Sequence, residues 1–139
     1  LWKRPVTSYK EQHEEIVSCS IEDVRNFRKR EKLYSFVLFG KEQVNSVWKS
    51  MFVDVFEILR EYDPIRFQTL LQKEKPEWIY PEQKYKGCEK IEEGNYYLYV
   101  PLNTLEMMSG IQYLLHEYGL DDNDITFNIR RSDDTDTEE

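Results

Sequence analysis

Leu33–Tyr62, LYSFVLFGKEQVNSVWKSMFVDVFEILREY, is the most densely apolar stretch of the chain, and its hydrophobic period changes halfway. Over residues 34–39 bulky side chains alternate. Tyr34, Phe36 and Leu38 fall on one side and Val37 and Phe39 on the other, as in a strand at least partly covered on both faces. Gly40-Lys41 supplies a tight turn into a short return strand through Val44. From Trp48 the spacing becomes helical, and Trp48, Met51, Phe52, Val55, Phe56, Leu59 and Tyr62 make one broad apolar stripe. Asn45 or Ser46 stands where an N-cap is wanted. A hairpin feeding a helix is the expected nucleus of the domain.

Downstream, Asp63 reads as an N-cap and Pro64 as the first residue of a second short helix carrying Phe67, Leu70 and Leu71. Residues 74–95 are irregular, with Pro76, Pro81, Gly87 and Gly94 among charged residues, and only Trp78-Ile79-Tyr80 looks buried. Order returns with a strand, Tyr96–Val100, ended by Pro101. Asn103 or Thr104 then caps a helix bearing Leu105, Met108, Ile111, Gln112, Leu115 and Tyr118, with Met107 and Leu114 widening the stripe. Gly119 and Leu120 fit the positions that close such a helix. After the turn Asp121–Asp124, Ile125, Phe127 and Ile129 alternate with polar residues in a last strand, read as an edge.

Upstream, a weak helical start is visible around Tyr9–Val17. Ser20 with Asp23 forms an approximate capping box for an amphipathic helix over residues 21–32, with Ile21, Val24 and Phe27 on its inner face. The expected architecture is α+β, a two-layer sandwich: a small mixed or antiparallel sheet with helices packed mainly on one face. Residues 1–19 read as a polar lead-in or linker, 20–131 as a single domain, and 132–139 as a disordered acidic tail.

A chain of 139 residues is long enough for one real core, and 40% apolar content with ten tyrosines is a folded composition. Of 27 acids, five fall in residues 132–139, which leaves 22 against 19 bases, a net of −3 for the rest of the chain. That balance disfavours a broad grip on nucleic-acid phosphate, though a local basic patch remains open. No apolar run is long enough to span a bilayer, and LWKRPVTSYKEQHEE lacks the apolar core of a signal peptide. A cytoplasmic domain without membrane contact is expected; a chain that begins with Leu reads as processed or, in preference, as part of something longer. Cys19 and Cys88 have no metal-like companions and read as reduced structural thiols.

Phe36-x-x-x-Gly40-x-x-x-Val44-x-Ser46-x-Trp48, running into a helix that ends near Tyr62-Asp63-Pro64, makes one recognisable unit. The aromatic strand, capped helix closing in Tyr118-Gly119-Leu120, and alternating strand to Ile129 make another. Over roughly residues 30–130 these resemble a small uncharacterised α+β accessory domain of bacterial proteins. It often stands at the C-terminal end of chains related to restriction or anti-phage systems. The resemblance implies an accessory role, with another domain, a second copy or nucleic acid as partner, and brings no catalytic motif.

The residues themselves assign no catalytic group. His13 and His116 are the only imidazoles, and no His or Cys spacing around them makes a metal site, so no metal and no cofactor is expected. His116 suits the last turn of its helix, where free carbonyls favour it. Asp63 with Glu82 and Lys84 has the composition of a Mg²⁺-dependent nuclease set, two carboxylates and a lysine, but Asp63 is already explained as a cap. Asp121, Asp122, Asn123 and Asp124 lack calcium-loop spacing and read as a solvated turn. The glycines are scattered singly, without a phosphate-cradling run, and no serine stands in a nucleophile elbow.

Two binding surfaces remain. Trp78, Tyr80, Tyr85 and Tyr97 cluster in and around the irregular segment, and Tyr and Trp favour interface centres because they add contact area at low entropy cost. Arg25, Arg28, Lys29, Arg30 and Lys32 form the one basic cluster, with Tyr34 and Tyr9 nearby and Lys84 and Lys86 as possible additions. The expected function is a non-catalytic accessory or protein-interaction domain of a larger bacterial cytoplasmic protein. Its partner would be a flanking domain or a second copy, met by the aromatic set. The first alternative is a nucleic-acid-binding module of a restriction or defence-type system using the basic helix, and the second a metal-dependent nuclease.

Overall fold

The computed structural model describes residues 14–132. In chain order the elements are β1 (Glu14–Cys19), α1 (Ile21–Arg25), β2 (Lys32–Leu38), β3 (Lys41–Val44), α2 (Trp48–Tyr62) and α3 (Pro64–Leu71). Then follow β4 (Ile79–Tyr80), β5 (Cys88–Ile91), β6 (Tyr96–Tyr99), α4 (Thr104–Glu117), a 3₁₀ turn over Asp122–Asp124, and β7 (Ile125–Ser132). Expectations for His13, Tyr9, the first 13 residues and the acidic tail beyond Ser132 lie outside the described residues.

The expected hairpin is present, with its turn one residue earlier than Gly40-Lys41. Leu38 pairs with Lys41, so Phe39-Gly40 is the loop, with φ of 57° and 72°. Two positive φ values are what a type I′ turn needs to match the strand twist. Gly40 meets that at no cost, whereas Phe39 is strained there, and its ring lies against Tyr62 with centroids 4.5 Å apart. The helix after the hairpin starts at Trp48 behind Val47, which caps nothing with its side chain. Asn45 lies two residues before that cap position, its Oδ1 accepting from the Val47 N–H at 3.0 Å. Downstream the caps are as read: Asp63 accepts from the Arg66 N–H and Asn103 from the Glu106 N–H. Gly119 (φ 75°) donates to the His116 carbonyl and Leu120 to the Leu115 carbonyl, a Schellman closure.

All strand pairs are antiparallel, in a four-stranded sheet ordered β1-β7-β2-β3 and a three-stranded one ordered β4-β6-β5. This is an α+β sandwich. Three expectations are corrected by it. First, the polar lead-in does not run to residue 19. Glu14–Cys19, the end of the supposed lead-in and of the weak helix around Tyr9–Val17, is a strand paired along its length with β7. EEIVSC is too short to show its period, and an available sheet edge decides its state. Second, β7 lies inside the sheet, flanked by β1 and β2, because β1 covers the side that would otherwise be open. Third, residues 74–95 are not merely irregular. They supply β4 and β5 on either side of β6, short strands that each pair with β6 alone.

The core is continuous from Phe36, Phe127 and Ile129 on the larger sheet, through Met51, Phe52, Val55 and Phe56 of α2 and Ile111 and Leu115 of α4, to Leu98 and Tyr96 of the smaller sheet. Helices therefore carry both sheets. Trp78 reaches Phe52 of α2 (centroids 6.0 Å apart), and Tyr96 meets Phe67 of α3 edge-on at 4.9 Å. Near the start of β2, a register shift between Leu33 and Ser35 in the β2–β7 ladder inserts Tyr34 as an extra residue. Tyr34 therefore does not share the inward face with Phe36 and Leu38: Leu33 takes the core side and Tyr34 turns outward. Tyr62 and Leu105, at the margins of their stripes, are exposed. No described helix is long and apolar enough to cross a membrane.

Candidate functional site

Trp78 is the residue around which the aromatic surface is built. It sits at φ 70°, and the Ile79 N–H donates to the Glu77 carbonyl across it at 2.8 Å, closing a three-residue turn. A γ-turn with positive φ is the strained form, and a bulky residue there is a true outlier. The surroundings hold it. The Trp78 N–H donates to the Tyr80 hydroxyl at 3.3 Å, and the Trp78 carbonyl accepts from the Tyr99 N–H at 2.9 Å. The ring is packed between Phe52 and Tyr99 (centroids 6.0 and 5.8 Å away) over Gly110, where a Cβ would lie 2.9 Å from its Cε3.

From this anchor an open groove of about 600 Å³ runs past Tyr80, Tyr85, Gly87 and Tyr99, with Glu77, Lys86 and Glu106 among its lining. Tyr80 and Tyr85 meet edge-to-face, centroids 5.8 Å apart. Burial raises the Tyr80 phenol above its ordinary range, so the ring is a neutral hydrogen-bonding group at any physiological pH. Gly87 keeps the floor low: a Cβ there would lie 2.8 Å from the Tyr99 ring. Of the four aromatic residues expected to act together, Trp78, Tyr80 and Tyr85 are gathered here. Tyr97 pairs with Tyr80 across β4 and β6 but is not part of the groove, and Lys90 lies over its ring at 5.5 Å. Tyr99 takes its place. Alternation along Tyr96–Tyr99 already put Tyr97 and Tyr99 on one face, but only the position of the Gly87 loop selects between them.

The basic helix is corrected. α1 stops at Arg25, so residues 26–31 are turn and bend and Lys32 opens β2. Asn26 closes the helix, its N–H donating to the Glu22 and Asp23 carbonyls. Arg25 is committed inward, donating to Ser109 and Gln112 of α4. Arg28, Lys29, Arg30 and Lys32 are exposed. Arg30 and Lys32 line a second groove of about 570 Å³ with Arg130, Tyr34, Leu33, Val44, Ser46 and Trp48. Its remaining lining residue is Glu31, whose carboxylate faces Arg131 at 3.6 Å. Arg130 is the residue missed in the sequence, because it belongs to a strand 98 positions beyond Lys32 that pairs with it in the sheet.

The remaining candidates do not assemble. Asp63 caps α3 and lines a recess with Arg66 and Glu117, while Glu82 and Lys84 line a different one with Leu71 and Pro76. His116 stands in the last turn of α4 as read, and its Nε2 lies 2.9 Å from Asp122. Asp121 and Asp124 cap the 3₁₀ turn reciprocally. No group of three or more His, Cys, Asp or Glu suited to a metal occurs among the described residues. Cys19 and Cys88 are buried free thiols, the first pushed up by burial.

No protein-family model, no curated protein and no solved structure matches the chain.

Proposed function

We propose that the chain is a non-catalytic protein-interaction domain, an accessory part of a larger bacterial cytoplasmic protein of the restriction or anti-phage kind. Its contact surface is the groove from Trp78 to Tyr85. The observation that carries this reading is the state of Trp78, a large aromatic in a strained positive-φ turn, partly buried at the head of an aromatic groove. Such strain costs about 1–3 kcal/mol and persists only where the surroundings enforce it, which is typical of ligand clamps. Trp78, Tyr80, Tyr85 and Tyr99 are already immobilised by mutual packing, so a partner's side chains would meet a rigid surface and lose little entropy in doing so.

Selection of a displayed peptide library on the folded domain tests this. Enriched peptides should bind wild type and lose about tenfold or more with Tyr85→Ala, a change at an exposed ring that leaves the core alone. Peptides that bind this variant as well as wild type, or no enrichment at all, would remove the groove as the contact surface.

A further inference from the structure

The groove beside β2 has the composition of a different kind of site. We propose that it binds the phosphodiester backbone of a single-stranded nucleic acid, with Arg30, Lys32 and Arg130 taking phosphates and Tyr34 and Val44 taking a base.

Three features separate this groove from an ordinary charged surface. First, the cations come from two segments that meet only in the folded sheet, where Lys32 and Arg130 are cross-strand partners. The one lining carboxylate, Glu31, is balanced by Arg131, so the groove keeps a local positive charge on a protein that is acidic overall. Second, two of the three cations, Arg130 and Arg30, are held in place. Arg130 lies over the Tyr34 ring at 5.0 Å, and Arg30 spends one nitrogen on the Leu102 carbonyl at 2.9 Å, leaving other donors of each guanidinium for an anion. Third, the bulge at Leu33/Ser35 is what brings Tyr34 outward beneath Arg130; in a regular strand that ring would enter the core. Bulges that re-aim a side chain this way are concentrated next to functional sites.

The same geometry selects a single strand over a duplex. α1 ends before the cations begin, so no helix is offered to a major groove. The apolar part of the groove, with Val44 71% exposed, is useful only to a base that is free to leave its stack.

Fluorescence anisotropy with a labelled mixed-sequence oligonucleotide of about a dozen residues, single-stranded and as its duplex, decides the matter. Three phosphate contacts on a single strand predict a slope of log K against log salt of about −2. Arg130→Gln and Lys32→Gln should each weaken binding several-fold and make the slope shallower by about 0.7, with an unchanged far-ultraviolet spectrum. Lys84→Gln, in a separate recess, should leave both quantities as they were. The proposal is overturned by absence of single-strand binding at low salt, by tighter binding of the duplex, or by equal loss with Lys84→Gln.

Discussion

Glu57 shows how one residue can tie the two halves of the core together. Its carboxylate accepts from both Nε and an Nη of Arg60 at 2.9 Å, and the Tyr96 hydroxyl donates to it at 2.8 Å, so a helix and the central strand of the smaller sheet share one half-buried charge. Burial alone would raise the Glu57 carboxyl, but the hydrogen bonds from Arg60 and Tyr96 outweigh it and hold the group below the usual carboxylate range. Burial, reinforced by the bond to Glu57, pushes the Tyr96 phenol far above its ordinary value. Glu57→Gln weakens both contacts and leaves Arg60 without its main partner. With the Glu57 and Arg60 side chains 14% and 21% exposed, solvent screens part of the loss, and the expected cost at neutral pH is about 2 kcal/mol. The sign with pH follows from the lowered carboxyl. Its stabilisation is complete above the unfolded value of about 4.3 and is lost as pH falls through the lower folded value. Urea denaturation at a series of pH values should show the two proteins apart at pH 7 and converging below about pH 4. A gap that persists unchanged into acid would mean that Glu57 acts through packing alone.

At the scale of elements, the decisive contact is where α4, α2 and the turn before β4 meet. Gly110 is the small residue that allows it. An added Cβ would lie 2.9 Å from Phe52 Cζ and from two atoms of the Trp78 ring, so ring systems on both sides would have to move. Gly110→Ala is therefore expected to cost about 1–3 kcal/mol by overpacking, although alanine is the better helix former. It should also displace Trp78 and alter its fluorescence. If Gly110→Ala stabilised the protein, as an exposed helical glycine would, the close approach of Trp78 to α4 would be wrong. Gly40→Ala makes the contrast, since nothing lies within 4 Å of its Cβ and only the positive φ resists the change. Its cost, about 1–2 kcal/mol, should leave tryptophan emission alone.

At the scale of the molecule, the strand order sets which part opens last. β7 is paired on both sides, by β1 and by β2, and its Ile125, Phe127 and Ile129 are fully buried. β3 is an edge with mostly exposed side chains. Hydrogen exchange should find the β7 amides of Phe127–Ile129 among the slowest in the protein and those of Glu42–Val44 much faster. Equal rates in the two strands would contradict the central placement of β7. The two proposed sites fall on different elements, the aromatic groove on β4, β6 and the segment before β5, the basic one on β2, β3 and β7. Loss of one should therefore leave the other functional.

The sequence by itself determined what depends on neighbours in the chain. The hairpin around Gly40, the stripe from Trp48 to Leu59, the caps at Ser20, Asp63 and Asn103, and the Gly119 closure all rest on local periodicity or on a hydrogen bond within a few residues. They were legible for that reason. The aromatic composition of the groove was legible too, through Trp78, Tyr80 and Tyr85. Only the tertiary structure decided the rest. Glu14–Cys19 and Cys88–Ile91 are too short to declare themselves and become strands because β7 and β6 offer edges to pair with. Tyr99 replaced Tyr97 because the Gly87 loop lies against one ring and not the other, and Arg130 joined Lys32 through a ladder whose partners are far apart in the chain. The bulge that turned Tyr34 outward is a property of the pairing between two strands. No period within β2 alone contains it.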